Sequence, residues 1–187
     1  MTPSLRAAAL LASLVLAAPP LAARAPSARA ASTPVTQDTS ALRFHRFRAG
    51  ARLDELDRVI RSHDGRLRCD RAKRDRRVME CRGTVSDSAL GVPVEIWVSA
   101  IDSVSGVLTI SAELDAETLD RWRRRIEASY GRVTARSQGS QRMMQWVRRG
   151  RMLRLTWRTE RGKRTASVSL VDGRVLDQWG KKRPASP

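Results

Sequence analysis

Two segments of the chain carry apolar residues at helical spacing. In LDELDRVIRSHDG, Leu53, Leu56, Ile60 and His63 fall on one helical face and Gly65 follows as a stop. In LDAETLDRWRRRIEASYG the buried stripe is Leu119, Trp122 and Ile126. Asp115 is placed to cap this second helix, Leu114 and Leu119 to staple its entry, and Gly131 to end it. A shift of sixty-six positions lays Leu53 on Leu119, Asp54 on Asp120, Leu56 on Trp122, Ile60 on Ile126, and Gly65 on Gly131.

Segments with the pattern of strands follow each helix. After the first come 66–71, 77–85, VPVEIWVSAI and GVLTISAEL; after the second come 132–136, RMMQWVR, RMLRLTWRTE and RTASVSLV. The later ones are rich in β-branched and aromatic residues, and Gly, Asp or Ser stands at the breaks. The RRGR of Arg148 to Arg151 reads as a tight hairpin turn centred on Arg149 and Gly150. The expected fold class is α+β: two similar helix-plus-four-strand units forming antiparallel sheet, covered on one face by helices.

The only cysteines, Cys69 and Cys81, flank a mostly charged stretch. Leu67 and Cys69 alternate on one side of the first strand, and Met79, Cys81, Gly83 and Val85 on one side of the next. Folding about Asp75 sets Cys69 opposite Cys81 and Leu67 opposite Gly83, so that the apolar faces coincide. That geometry predicts a cross-strand disulfide. A zinc site needs about four ligands, and His45 and His63 lie outside this hairpin. A redox switch more naturally shows C-x-x-C. Neither a metal nor another cofactor is expected.

The start of the chain supports the oxidising compartment that a disulfide requires. Arg6, an apolar run from Ala7 to Ala18, and then small residues and prolines have the pattern of a secretory signal peptide, and the run is too short for a bilayer span. Of two A-x-A sites, the one ending at Ala25 is followed by Pro26, so cleavage is expected after Ala30. An uncleaved anchor is the rival reading. The expected organisation is a signal peptide over 1–30, a flexible lead-in over 31–43, a domain over 44–180 with repeats at about 44–114 and 115–180, and a disordered basic tail over 181–187. The mature protein is expected to be monomeric, without a transmembrane span, and periplasmic or secreted.

The tandem layout, the spacing of Cys69, Cys81, Arg82 and Gly83, and a closing L-x-D-G-x-x-L at Leu170, Asp172, Gly173 and Leu176 resemble the β-lactamase inhibitor protein family. More distantly they resemble the small lipoprotein of the outer-membrane barrel assembly machinery. The resemblance implies a non-enzymatic binding fold over most of the mature chain. In that family the loop after the first CRG carries an inhibitory aspartate, which brings Asp87 forward, at a different spacing. The chain departs from the family in having no cysteine in its second repeat, one clear helix per repeat, and only 4% aromatic residues.

The formal charge is +17, and loss of Arg6, Arg24 and Arg29 with the signal peptide leaves +14. Most of the basic residues are arginine, which a GC-rich coding bias favours. Such a bias exchanges lysine for arginine more readily than it adds net charge, so an anionic partner is expected beyond a merely solvated basic surface. Basic clusters stand at 71–77, 121–125, 148–154 and 158–164. Trp97, Trp146 and Trp157 alternate with arginines on predicted strands, a pattern that can stack nucleic acid but that core packing also produces. An exported protein meets little nucleic acid, so a lipid headgroup, an acidic glycan or an envelope protein comes first. The candidate binding residues are Arg148, Arg149, Arg151, Arg154, Trp146 and Trp157, with Asp87 from the resemblance.

No G-x-S-x-G, S-x-x-K, H-E-x-x-H or phosphate-binding glycine loop is present. Asp102, Glu113 and Asp115 are the carboxylates that could in principle pair. The expectation is an exported non-enzymatic protein that binds a protein or anionic envelope component. The alternative is an enzyme acting on an anionic envelope polymer.

Overall fold

The computed structural model describes residues 41–179 and Lys181. The expectations for the signal peptide, for residues 31–40 and for the tail from 182 lie outside the described residues. A short hairpin, β1 (Arg43–Phe44) and β2 (Phe47–Arg48), leads into α1 (Leu53–Arg61). Four strands follow: β3 (Arg66–Arg71), β4 (Val78–Ser86), β5 (Pro93–Ile101) and β6 (Val104–Glu113). Then come α2 (Ala116–Tyr130), β7 (Arg136–Gln138), β8 (Gln141–Arg148), β9 (Arg151–Glu160), β10 (Lys163–Asp172) and a single-turn α3 (Gly173–Leu176).

Strands β3 to β10 form one eight-stranded sheet in the order β3-β4-β5-β6-β10-β9-β8-β7, antiparallel at every pairing. Each long helix therefore precedes an antiparallel four-strand meander, and the last strands of the two meanders pair at the centre of the sheet. Two-residue turns keep the meanders tight. Arg149 and Gly150 both have positive φ, as do Asp102 with Ser103 and Arg161 with Gly162, the combination whose twist matches that of the flanking strands.

Leu56 and Ile60 of α1 and Leu119, Trp122 and Ile126 of α2 are buried in one core with Ile96, Val98, Leu108, Ile110, Leu153, Leu155 and Val168 of the sheet. Alternation along each strand makes these one face of the sheet. Asp115 caps α2 by accepting a 2.6 Å hydrogen bond from Thr118 N. This bond is the leading cause of the lowered pKa of the Asp115 carboxyl. Cys69 is bonded to Cys81, with Cys69 opposite Cys81 and Leu67 opposite Gly83 in the ladder.

Two local expectations need correction. Leu42 is fully buried and Arg43 begins β1, so residues 41–43, expected in the lead-in, belong to the folded domain. Tyr130 ties this segment to α2: its hydroxyl accepts from Arg43 N (2.7 Å) and donates to Arg43 O (2.9 Å). Gly65 is not the left-handed residue that ends α1. Asp64 takes that conformation at φ +57°, and Gly65 is glycine because a Cβ there would run into the Thr84 carbonyl and lie 2.7 Å from Ile60 Cγ2.

Candidate functional site

The opposite face of the sheet has no helix over its middle, and the ladder registers fix what it displays. One row contains Val107, Val171, Met152 and Val147, one residue from each of β6, β10, β9 and β8. None of the four belongs to the core cluster, and Val147 is 62% exposed. The next row contains Arg68, Arg82, Trp97, Thr109, Ser169 and Arg154. Hydroxyl pairs join neighbouring strands at the centre: Thr109 to Ser169 at 3.2 Å and Thr156 to Ser167 at 2.7 Å. The centre of the face is thus neutral, small and half apolar.

A hollow of about 790 Å³ opens on the β3–β5 side, lined by Arg66, Arg68, Arg82, Glu95 and Trp97 among others. A second hollow of about 430 Å³ adjoins it and shares Thr84, Glu95 and Ser111. Arg68 and Arg82 stand directly opposite each other, an arrangement of like charges that costs stability. Asp70 and Glu80, the next pair on the same strands, are also like charges face to face. The face thus carries charge of both signs at its β3–β4 margin and little in the middle.

The residues expected to form one basic-aromatic site divide between the two faces. Trp146 is buried, and its indole Nε1 donates to Gly131 O at 2.7 Å. Trp157 packs against the core on the same, helix-covered side. Arg151 does not project from the turn: it is buried and its Nε donates to Asp172 Oδ2 at 2.8 Å, with only 6% and 3% of the two side chains exposed. Arg148 is exposed, with its guanidinium 5.3 Å from the centre of the Tyr130 ring. Arg149 is exposed at the turn. Arg154 alone of the set lies on the open face, bonded to Gln145 Oε1 at 2.9 Å.

Asp87 is turned inward. Its Oδ1 accepts from Ala89 N (2.8 Å), Oδ2 lies 3.5 Å from His63 Nε2, and 11% of its side chain is exposed. Its loop is clasped to α2, where Leu90 O accepts from Trp122 Nε1 at 2.9 Å. The closing motif has a structural role as well. Asp172 caps α3 through Arg174 N (3.1 Å) and accepts from Arg151, and the space beside it requires Gly50, whose Cβ would collide with Oδ2.

The three carboxylates that could have paired do not converge. Glu113 meets Lys163 Nζ (3.2 Å) and Asp115 caps α2. Asp102 lies in the turn at the far end of β6, roughly 30 Å from Glu113 at the usual rise of about 3.3 Å per strand residue. Among the described residues no cluster of three or more His, Cys, Asp or Glu could hold a metal ion, and no helix is long and apolar enough to cross a membrane.

The apolar row and the hydroxyl-lined centre were the features hardest to foresee. Strand alternation assigns Val107, Met152 and Val171 to the face opposite Leu108, Leu153 and Leu170, but only the register shows that they form a continuous row. Fold and face together define an α+β protein with a one-side-covered antiparallel sheet. No family model, curated protein or solved structure matches the chain.

Proposed function

We propose that this chain is an exported, non-enzymatic binding protein, built of two related helix-plus-four-strand units, whose open sheet face recognises an envelope protein. The observation that carries this reading is the apolar row Val107, Val171, Met152 and Val147 on the face that α1 and α2 leave open, half-buried at the first three positions and 62% exposed at Val147. An exposed apolar strip rimmed by polar groups is what a protein interface buries. The hydroxyl rows beside it can hydrogen-bond without the desolvation cost of charge, and the mixed charges at the β3–β4 margin supply register. The disulfide supports export. The shared order of helix and meander, with β6 against β10 as a local two-fold would require, supports the relation between units. It is also the layout that the resemblance to the β-lactamase inhibitor proteins implies.

Val147→Asp with Met152→Asp places two charges on the open face, one at an exposed position and one at a half-buried position beside Arg154. Capture of a partner from solubilised envelope protein should fall at least about ten-fold, since each desolvated charge costs more than about 1.4 kcal/mol. Arg124→Ser with Arg125→Ser, on the outer side of α2, should leave capture intact. Unchanged capture by the aspartate variant at an unchanged melting temperature would overturn the reading.

A further inference from the structure

The positive charge is not spread evenly. Residues 44–114 hold thirteen Lys and Arg against eleven Asp and Glu, whereas residues 115–180 hold sixteen against seven. A coding bias acting on composition alone would not divide the chain in this way. On the helix-covered side of the second half, a hollow of about 190 Å³ lies between α2 and strands β8 to β10, and Arg123, Arg142 and Arg164 all line it. Trp157 forms part of its wall. Arg142 is the ladder neighbour of Trp157 on β8, and on β10 its neighbour is Ala166, whose small side chain leaves room beside the indole.

The counter-charge within the hollow is incomplete. Asp120 is the only acid lining it and stands 3.6 Å from Arg123 in a half-exposed pair. Arg142 and Arg164 form no ion pair with any described residue. Asp115, within electrostatic reach of Arg164, is already engaged by Thr118 N. Three guanidinium groups against one carboxylate leave a double positive charge. A carboxylate ligand would neutralise half of that and offer too few acceptors for three forked donors. A phosphate monoester carries a charge of about −1.5 to −2 at neutral pH and has three acceptor oxygens.

We propose that this hollow is a phosphate-binding subsite that takes a phosphomonoester group, with Arg123, Arg142 and Arg164 as its donors and Trp157 as a wall for the ring or chain carrying the phosphate. The subsite lies on the side of the sheet away from the open face, so it stands or falls independently of the protein-binding reading.

Phosphatidic acid, a monoester, and phosphatidylglycerol, a diester, separate this subsite from general attraction. Vesicles of each, adjusted to equal surface potential, should bind the mature protein unequally, with phosphatidic acid favoured about ten-fold, the scale of one extra charge-assisted hydrogen bond. Arg142→Ser with Arg164→Ser should remove the preference. Arg71→Ser with Arg74→Ser, the same charge change in the first half, should weaken binding to both vesicles and keep the preference. Arg142→Lys with Arg164→Lys guards against misfolding: it keeps charge and packing length, loses the forked donors, and should also lower the preference. Displacement of the protein by millimolar inorganic phosphate would assign the site to the phosphate group alone. Persistence of vesicle binding in phosphate, with the monoester preference intact, would assign it to the lipid headgroup. Equal binding of the two vesicles by the unaltered protein, or a preference that survives both Arg142 and Arg164 variants, would overturn the proposal.

Discussion

His45 sits at the tip of the β1–β2 hairpin at φ +52°, with its ring edge-on to Phe44 at 4.6 Å between centroids. Burial lowers its pKa from the ordinary 6.5 to about 4; the charge of Arg125 adds to the effect and that of Asp87 opposes it. The unfolded chain therefore takes up a proton at this ring at a higher pH than the folded protein does. Stability from this residue is complete above pH 6.5 and falls progressively as the pH is lowered from 6.5 toward 4, by an amount that solvent reaching the half-buried ring reduces. Asn tolerates the left-handed conformation, so His45→Asn should flatten the stability profile across that window in urea titrations at stepped pH. An unchanged slope would place the acid sensitivity elsewhere. The buried Arg151–Asp172 pair gives a second test. Asp172→Ala removes the buried carboxylate to which Arg151 donates and should cost roughly 3–5 kcal/mol, whereas Arg151→Met with Asp172→Leu should cost less than the single change, because the buried guanidinium is removed together with its carboxylate. The alternation of Arg151 with Leu153 and Leu155 already marked this arginine as inward-facing; its place in a basic cluster disguised it.

At the scale of elements, both long helices, the other strands of the two runs and the Cys69–Cys81 register were legible, because each rests on local periodicity and a short closure; the strand expected over 132–136 is loop up to residue 135, and β7 is only Arg136–Gln138, too short to show alternation. The β1–β2 hairpin was not, since two-residue strands have too little alternation to detect and Leu42 reads as an isolated apolar residue beside polar sequence. The same glycine at two helix ends hides two causes: Gly131 has φ +89° and open space around it, while Gly65 answers to crowding against Thr84 and Ile60. Gly131→Ala should thus be destabilising through backbone strain alone, and Gly65→Ala through displacement of α1 from β4. The disulfide closes a short loop at the edge strand β3, and Cys69→Ala with Cys81→Ala should lower stability by about 3 kcal/mol in the chain-entropy model. Denaturation of that variant beside the oxidised parent measures this, and a loss below about 1 kcal/mol would mean that the reduced hairpin holds its register unaided.

At the scale of the whole molecule, the two sides of one sheet have different chemistries. Helices α1 and α2 bury one side, where Arg123, Arg142 and Arg164 gather beside α2, while Arg154 and Arg158 stand on the other. The other side shows a neutral centre of hydroxyls and apolar residues with a charged margin at β3 and β4. Sequence periodicity could say that one face is left open, but not which residues become neighbours across eight strands, because that depends on registers between segments far apart in the chain. Nor could it separate Arg154 on the open face from Arg148 and Trp157 on the other, since a cluster in sequence alternates sides along a strand. Arginines mark both faces, and this makes the central claim directly measurable. Phenylglyoxal labelling of the protein, alone and after incubation with solubilised envelope protein, reads each arginine by peptide mass spectrometry. The open-face account predicts protection of Arg68, Arg82 and Arg154 on binding, with Arg124 and Arg125 on the outer side of α2 labelled as before. Protection confined to Arg124 and Arg125, with Arg68, Arg82 and Arg154 as reactive in the complex as in the free protein, would contradict it.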